Sequence, residues 1–210
     1  MKLNDFFDKI YCINLDDRPD RWEQALNEFK KVGLNDVERF SAVKHDKGAI
    51  GCRESHLNII KKSKDDKLNN VLIFEDDVLF IESNIKFISE TLEQLKNTDW
   101  SLFYLGATVD PNVSHLVSVT ENLLKTNFAY TTHAYGINSK IFDKILNEAI
   151  YHPIIDVFYC RYIVPLGDSL IMNPMVAIQQ EGFSNIENHH ADYNWMIDFF
   201  NKIKIKSKIN

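Results

Sequence analysis

Apolar residues in this chain fall into short runs that alternate with stretches of helical spacing. Ile10, Tyr11, Cys12 and Ile13 form the first run and predict a strand over residues 9–15. Asp17-Arg18-Pro19-Asp20 then punctuates the chain, with Pro19 suited to the first turn of a helix. Trp22, Leu26, Phe29 and Val32 follow with helical spacing until Gly33 closes the segment. A second strand is predicted over 37–43. A helix over 48–62 opens on glycines and carries Leu57, Ile59 and Ile60. A charged loop at 64–67 leads into a strand from Val71, followed by a helix over 81–95 and a strand over 100–105 that ends at Gly106. Beyond it the pattern is mixed. Strands are predicted over 116–119, 128–132 and 134–138, then a helix over 139–149 with Ser139 as its N-cap. A short helix over 154–162, a strand over 175–179 and a closing helix over 193–203 complete the chain. The alternation through Leu105 predicts an α/β fold with a largely parallel sheet, and no internal repeat or low-complexity linker interrupts it.

The strand from Val71 ends abruptly in three carboxylates, Glu75, Asp76 and Asp77. Three adjacent acids repel one another, and desolvating them is costly unless a cation neutralises them. A hard divalent metal does so with oxygen ligands and commonly shares them with phosphate. The alternative is an acidic cap solvated by water. If the chain stays extended, Glu75 and Asp77 point to one face and Asp76 to the other. Parallel sheets bind ligands outside the carboxyl ends of their strands. The strand ends here carry Asn14 to Arg18, Ser41 to Val43 and the three acids. Neither a dinucleotide fingerprint nor a P-loop follows the first strand, so metal and arginine would hold any phosphate.

At 210 residues the chain is read as one domain with room for a substantial core. A net charge of -6 argues against nucleic acid as a partner. The basic tail from Lys202 to Lys208 is the local exception: it either touches anionic lipid, a peripheral membrane contact, or is a solvated end. Cys12, Cys52 and Cys160 are widely spaced and odd in number, which predicts free thiols in a reducing compartment. With neither a signal-peptide pattern at the start nor a run long enough to span a bilayer, the expected protein is soluble and cytoplasmic.

Several motifs in order resemble glycosyltransferase family 25, which includes lipooligosaccharide and procollagen galactosyltransferases. Tyr11 to Arg21 is similar to the family's opening, Gly51-Cys52-Arg53-Glu54-Ser55-His56-Leu57 to its second signature, and Leu72 to Val78 to its acidic motif. Phe103 to Gly106, Thr132 to Ile137, Pro153 to Phe158 and Gln180 to Ile186 fall where later family elements fall. The resemblance implies a GT-A architecture, a Rossmann-like, mixed but mostly parallel sheet flanked by helices. It divides into a nucleotide-sugar-binding half over 1–107, an acceptor half over 108–190, and a closing helix and tail over 191–210. It also implies a UDP-hexose donor, a glycan or protein acceptor, and a divalent cation, manganese before magnesium. Stabilising the departing diphosphate is what such a cation does as a Lewis acid.

On this reading Asp77 is the direct metal ligand, Glu75 shares the metal or binds ribose, and Asp76 touches the donor sugar. Arg18 and Arg21 clamp phosphate with their guanidinium forks, or pair with Asp17 or Glu23 on the helix surface. Asn14 offers an amide to a uracil or ribose edge. Ser55 and His56 line the donor pocket, although a lone histidine is more often a satisfied core residue. For inverting transfer Asp156 is the general base, with a helix N-cap as its alternative role, and Glu181 stands in reserve. His189 and His190 lie where a late metal ligand could come, but read better as surface residues. Asn185 departs from the aspartate usual in its element and cannot supply charge there. A non-catalytic nucleotide-sugar or glycan-binding module with the same fold is the second reading. A phosphohydrolase is the third, weakened by the lack of an Asp-x-Asp nucleophile motif near the first strand.

Overall fold

Both faces of the first strand are apolar, and that decides the architecture. In the computed structural model, which describes residues 1–180, 182–184, 189–191, 195–203 and 205–206, a short helix α1 (Leu3–Phe6) precedes strand β1 (Lys9–Asn14). Within β1, Tyr11 and Ile13 pack into one core cluster while Ile10 and Cys12 pack into the other. This is the period-two alternation of a strand buried on both sides. Helix α2 (Pro19–Lys31) starts on Pro19 and ends before Gly33, whose φ of 70° suits a residue without a Cβ. Strand β2 (Glu38–Ser41), helix α3 (Gly48–Asp65), strand β3 (Asn70–Glu75) and strand β4 (Val78–Phe80) follow. The acids thus occupy the junction between β3 and β4: the strand ends at Glu75, and the chain turns at Asp76 and Asp77. The extended alternation expected for the three side chains does not occur.

Helix α4 (Ile88–Lys96) is preceded by a 3₁₀ segment, Glu82–Phe87, so the helix expected over 81–95 is α-helical only in its second part. Strands β5 (Leu102–Tyr104), β6 (Leu116–Ser118), β7 (Leu123–Thr126) and β8 (Ala134–Asn138) come next. The strand expected over 128–132 is absent. Tyr130 makes a single bridge to Thr108, and Thr131 adopts a φ of 77°, which breaks an extended run. The real strand lies earlier, at β7, where pairing with a later strand outweighs the local pattern. Asn138, not Ser139, caps the next helical segment: its side chain accepts from the Lys140 N–H, and helix α5 (Phe142–Glu148) follows a short 3₁₀ turn. Helix α6 (Ile155–Phe158) passes into a π-type stretch, Tyr159–Ile163. Strands β9 (Ser169–Met172), β10 (Ala177–Gln179), β11 (Gly182–Ser184) and β12 (His189–Ala191) and helix α7 (Trp195–Lys202) complete the described chain.

Eight strands form one sheet in the order β2-β1-β3-β8-β5-β9-β7-β6. Six run in one direction, and β8 and β7 run against them. The result is the mixed, mostly parallel, helix-flanked sheet expected of the chain. Helices α3, α5 and α6 contribute to the core on one face, and α1, α2 and α4 to that on the other. Strand β8 inserts antiparallel between β3 and β5, so residues from the later part of the chain border the acidic strand directly. Two small sheets stand apart, β4 with β10 and β11 with β12. Cys12 and Cys160 are buried, Cys52 is half-buried, and all three are free thiols. Among the described residues no helix is long and apolar enough to cross a membrane.

Candidate active site

Because β1, β2 and β3 are parallel, their carboxyl ends lie along one edge of the sheet, and a cavity of about 490 Å³ opens there. Asn14, Arg18, Arg21, Ser55, Glu75 and Asp76 line it, so six of the nine residues singled out from the sequence meet in one place. His56, Asp77 and Asp156 do not reach its wall.

Asp76 is buried and tied down on both oxygens. Asn14 Nδ2 donates to Oδ2 at 2.6 Å and Arg21 Nη1 to Oδ1 at 3.1 Å. Burial raises the Asp76 pKa, while the Asn14 hydrogen bond and the Arg21 charge oppose the rise. Asn14 has both of its amide N–H groups committed within the protein. Its Nδ2 also donates to the Arg18 carbonyl, and its Oδ1 accepts from Arg39 Nε at 2.8 Å. It therefore positions Asp76 and the turn into α2. Arg39, which the sequence reading passed over, also pairs with Asp16. Arg18 pairs with Asp20, not with Asp17 or Glu23, through Nε at 2.9 Å and Nη2 at 2.8 Å. Lys44, unforeseen as a cavity residue, pairs with Asp17.

Glu75, on the cavity wall, turns towards His56 of α3 and Thr132 just before β8. Thr132 Oγ1 donates to its Oε1 at 2.6 Å, and His56 Nε2 lies 3.3 Å from the same oxygen. Burial pushes the carboxyl up, but the His56 and Thr132 bonds outweigh it and the net pKa is lowered. His56 is fully buried, with Nδ1 bonded to the Tyr135 hydroxyl at 2.8 Å, so it backs Glu75 rather than facing the cavity. Ser55 is a brace. It donates to the Gly51 carbonyl and accepts from the Val43 N–H, both at 2.8 Å, which fixes the cavity wall. Gly51 makes that contact feasible, since a Cβ there would stand 2.4 Å from the Val43 carbonyl oxygen.

Asp77 differs from its neighbours. Gln179 Nε2 donates to Oδ2 at 3.3 Å, whereas the buried Oδ1 has no partner among the described residues. Burial, then the charges of Glu75 and Asp76, push its pKa up to about 7. A desolvated carboxylate with an orphaned oxygen beside two other acids fits a hard cation. Asp156 sits inside the first turn of α6, whose N-cap is Ile154, and its Oδ1 accepts from the next N–H at 2.7 Å. Burial raises its pKa, with the charge of Glu75 adding to the rise and His56 opposing it. His133, also missed from sequence, is fully buried next to Thr132, and burial pushes its pKa down to about 4. Glu181 and Asn185 lie outside the described residues, as do the side chains of His189 and His190.

Residues 46–152 match the family model described as glycosyltransferase family 25 (LPS biosynthesis protein). The chain belongs to glycosyltransferase family 25. Among curated relatives, a "Glycosyltransferase 25 family member" of Aedes aegypti is 29% identical over 169 residues, covering 66% of this chain and 28% of that protein. The "Procollagen galactosyltransferase 1-A" of Xenopus laevis is 27% identical, covering 67% of this chain and 28% of its own length. The human "Inactive glycosyltransferase 25 family member 3" is 28% identical, covering 62% of this chain and 27% of its own length. The chain therefore spans less than a third of each of these relatives. A crystal structure of a glycosyltransferase involved in glycosylation of the major capsid of PBCV-1 aligns with a TM-score of 0.49 and 10% identity, over 78% of this chain and 79% of that one.

Proposed function

We propose that this family 25 chain transfers a hexose, galactose or glucose, from a UDP-sugar to a hydroxyl of a glycan or protein acceptor, with inversion and with the help of a divalent cation. The observation that carries this reading is the buried Oδ1 of Asp77, without a partner among the described residues, at the acidic turn beside the cavity. A hard cation, manganese before magnesium, would be held by Asp77, since Glu75 is engaged by His56 and Thr132 and Asp76 by Asn14 and Arg21. When bound, such a cation neutralises the departing diphosphate as a Lewis acid.

The remaining roles belong to the chain itself. Arg18, Arg21 and Lys44 bring positive charge to the cavity, where guanidinium forks suit phosphate oxygens. Asn14 and Arg21 hold Asp76 in place, a pre-set acceptor for donor hydroxyls that need not be ordered when the ligand arrives. Asp156, its pKa raised by burial, takes the acceptor proton as general base.

The test is release of UDP from UDP-galactose and UDP-glucose with and without manganese, alongside melting of the protein in the same mixtures. The reading expects metal-dependent turnover, lost in Asp77→Asn. In Asp156→Asn it expects turnover lost but ligand-induced stabilisation kept. Equal turnover in Asp77→Asn would remove it. A second reading, a binding module without turnover, gains support from the inactive designation of the human relative and from Asp156 standing off the cavity wall. It expects stabilisation by UDP and metal with no release from any donor.

A further inference from the structure

The second signature and the acidic motif meet in an arrangement that neither suggests alone. Cys52 and His56 lie one turn apart on α3, so they share a helix face, and Glu75 at the end of β3 stands opposite them. One ligand atom from each, the Cys52 thiol sulfur, a His56 ring nitrogen and a Glu75 carboxylate oxygen, all fall within 4.8 Å of one another. Among the described residues this is the only trio of His, Cys, Asp and Glu side chains to do so. The surroundings also support a ligand set. The Tyr135 hydroxyl engages His56 Nδ1 and is itself 3.2 Å from the Tyr159 hydroxyl, leaving Nε2 directed at Glu75. Orienting an imidazole through its second nitrogen is how proteins aim a histidine at a metal.

We infer that Cys52, His56 and Glu75 form a binding site for a borderline-soft divalent cation, zinc by its chemistry. The site differs from the place at Asp77 where a hard cation fits. A thiolate and an imidazole select zinc over manganese or magnesium, which prefer carboxylate, carbonyl and water oxygen. The Cys52 thiol gives up its proton on binding, and the metal–sulfur bond takes its place. Three protein ligands leave one tetrahedral position unfilled. Cys52 and Glu75 both line the cavity, so that position is reached from the space where a donor would lie. A cation seated there competes for the cavity floor and draws on Glu75, which links zinc occupancy to ligand binding. The inference does not depend on sugar transfer.

The experiment is titration of the reduced, chelator-stripped protein with cobalt as a spectroscopic stand-in for zinc, with no nucleotide present. The expected result is a thiolate-to-cobalt charge-transfer band that saturates at one equivalent, is abolished by zinc, and persists in excess magnesium. Cys52→Ser should lose the band, Cys12→Ser and Cys160→Ser should keep it, and Tyr135→Phe should weaken zinc binding about tenfold. Absence of the band in the unmodified protein, which needs no variant to fold, overturns the inference. So does a band that survives in Cys52→Ser. UDP-sugar stabilisation, measured separately with manganese, distinguishes this failure from failure of the transferase reading.

Discussion

Replacing Asp77 by Asn tests the electrostatics of the acidic turn without a ligand. Folded Asp77 keeps its proton up to about pH 7, because burial and the charges of Glu75 and Asp76 disfavour the anion, whereas the unfolded carboxyl titrates near 3.8. The folded protein therefore binds the proton more tightly, and raising the pH through that window removes stability. At about 1.4 kcal/mol per pK unit, the ceiling is about 4 kcal/mol lost by pH 8. An asparagine amide in place of the orphaned oxygen is itself unsatisfied and returns about 1–3 kcal/mol of that gain. A net stabilisation of about 1–3 kcal/mol at pH 8 remains, shrinking towards zero or below by pH 4. For a chain of this size 1 kcal/mol moves Tm by about 2–4 °C, so in chelator at pH 8 the variant should melt about 2–12 °C above the unmodified protein. Scanning calorimetry at pH 4, 6 and 8 measures the gap, and manganese should narrow it by stabilising the unmodified protein alone. A gap that does not change with pH, or a variant that melts lower at pH 8, refutes the account of Asp77.

Three further outcomes follow from particular contacts. Glu28 Oε2 accepts from the buried Phe80 N–H at 2.9 Å, so Glu28→Ala should cost about 1–3 kcal/mol in urea unfolding by leaving that donor unpaired. Gly51→Ala places a methyl 2.4 Å from the Val43 carbonyl oxygen, and moving the wall aside should cost about 1–3 kcal/mol together with the UDP-sugar melting shift. His133 is held neutral, its pKa pushed from 6.5 to about 4 by burial. Its contribution is complete above pH 6.5 and lost as the pH falls towards 4, up to about 3 kcal/mol. His133→Gln should flatten that part of the acid limb in a pH series of unfolding curves.

The elements whose cores are local read well from the chain. The apolar runs of β1 and β3 and the spacing of α2 place those elements within a residue or two, because each satisfies its own backbone and buries a regular face. The later strands read less well. β7 carries no stronger local pattern than 128–132, and its pairing with β9 is set by a contact between distant segments. The cavity was legible as a cluster of residues at strand ends, but not the division of labour within it. Nothing in the order Glu75-Asp76-Asp77 says that one acid turns to His56 and Thr132, the next to Asn14 and Arg21, and the last to Gln179. Nor does a lone Cys52 announce itself as a neighbour of Glu75, since that juxtaposition requires α3 to pack over the end of β3.

The two aspartates at the turn between β3 and β4 stand on a seam between the great sheet and the small two-stranded sheet of β4 and β10. One side of the seam is stitched to β1 through Asn14, and the other to β10 through Gln179 and the Gln180 amide, which donates to the Asp77 carbonyl. Gly106 lets the backbone at Ala177 lie so close that any side chain there would collide with it, which holds the small sheet against the end of β5. A shift of the acidic corner would therefore break bonds to both sheets at once, much as a hinge pin is gripped by both leaves of a door.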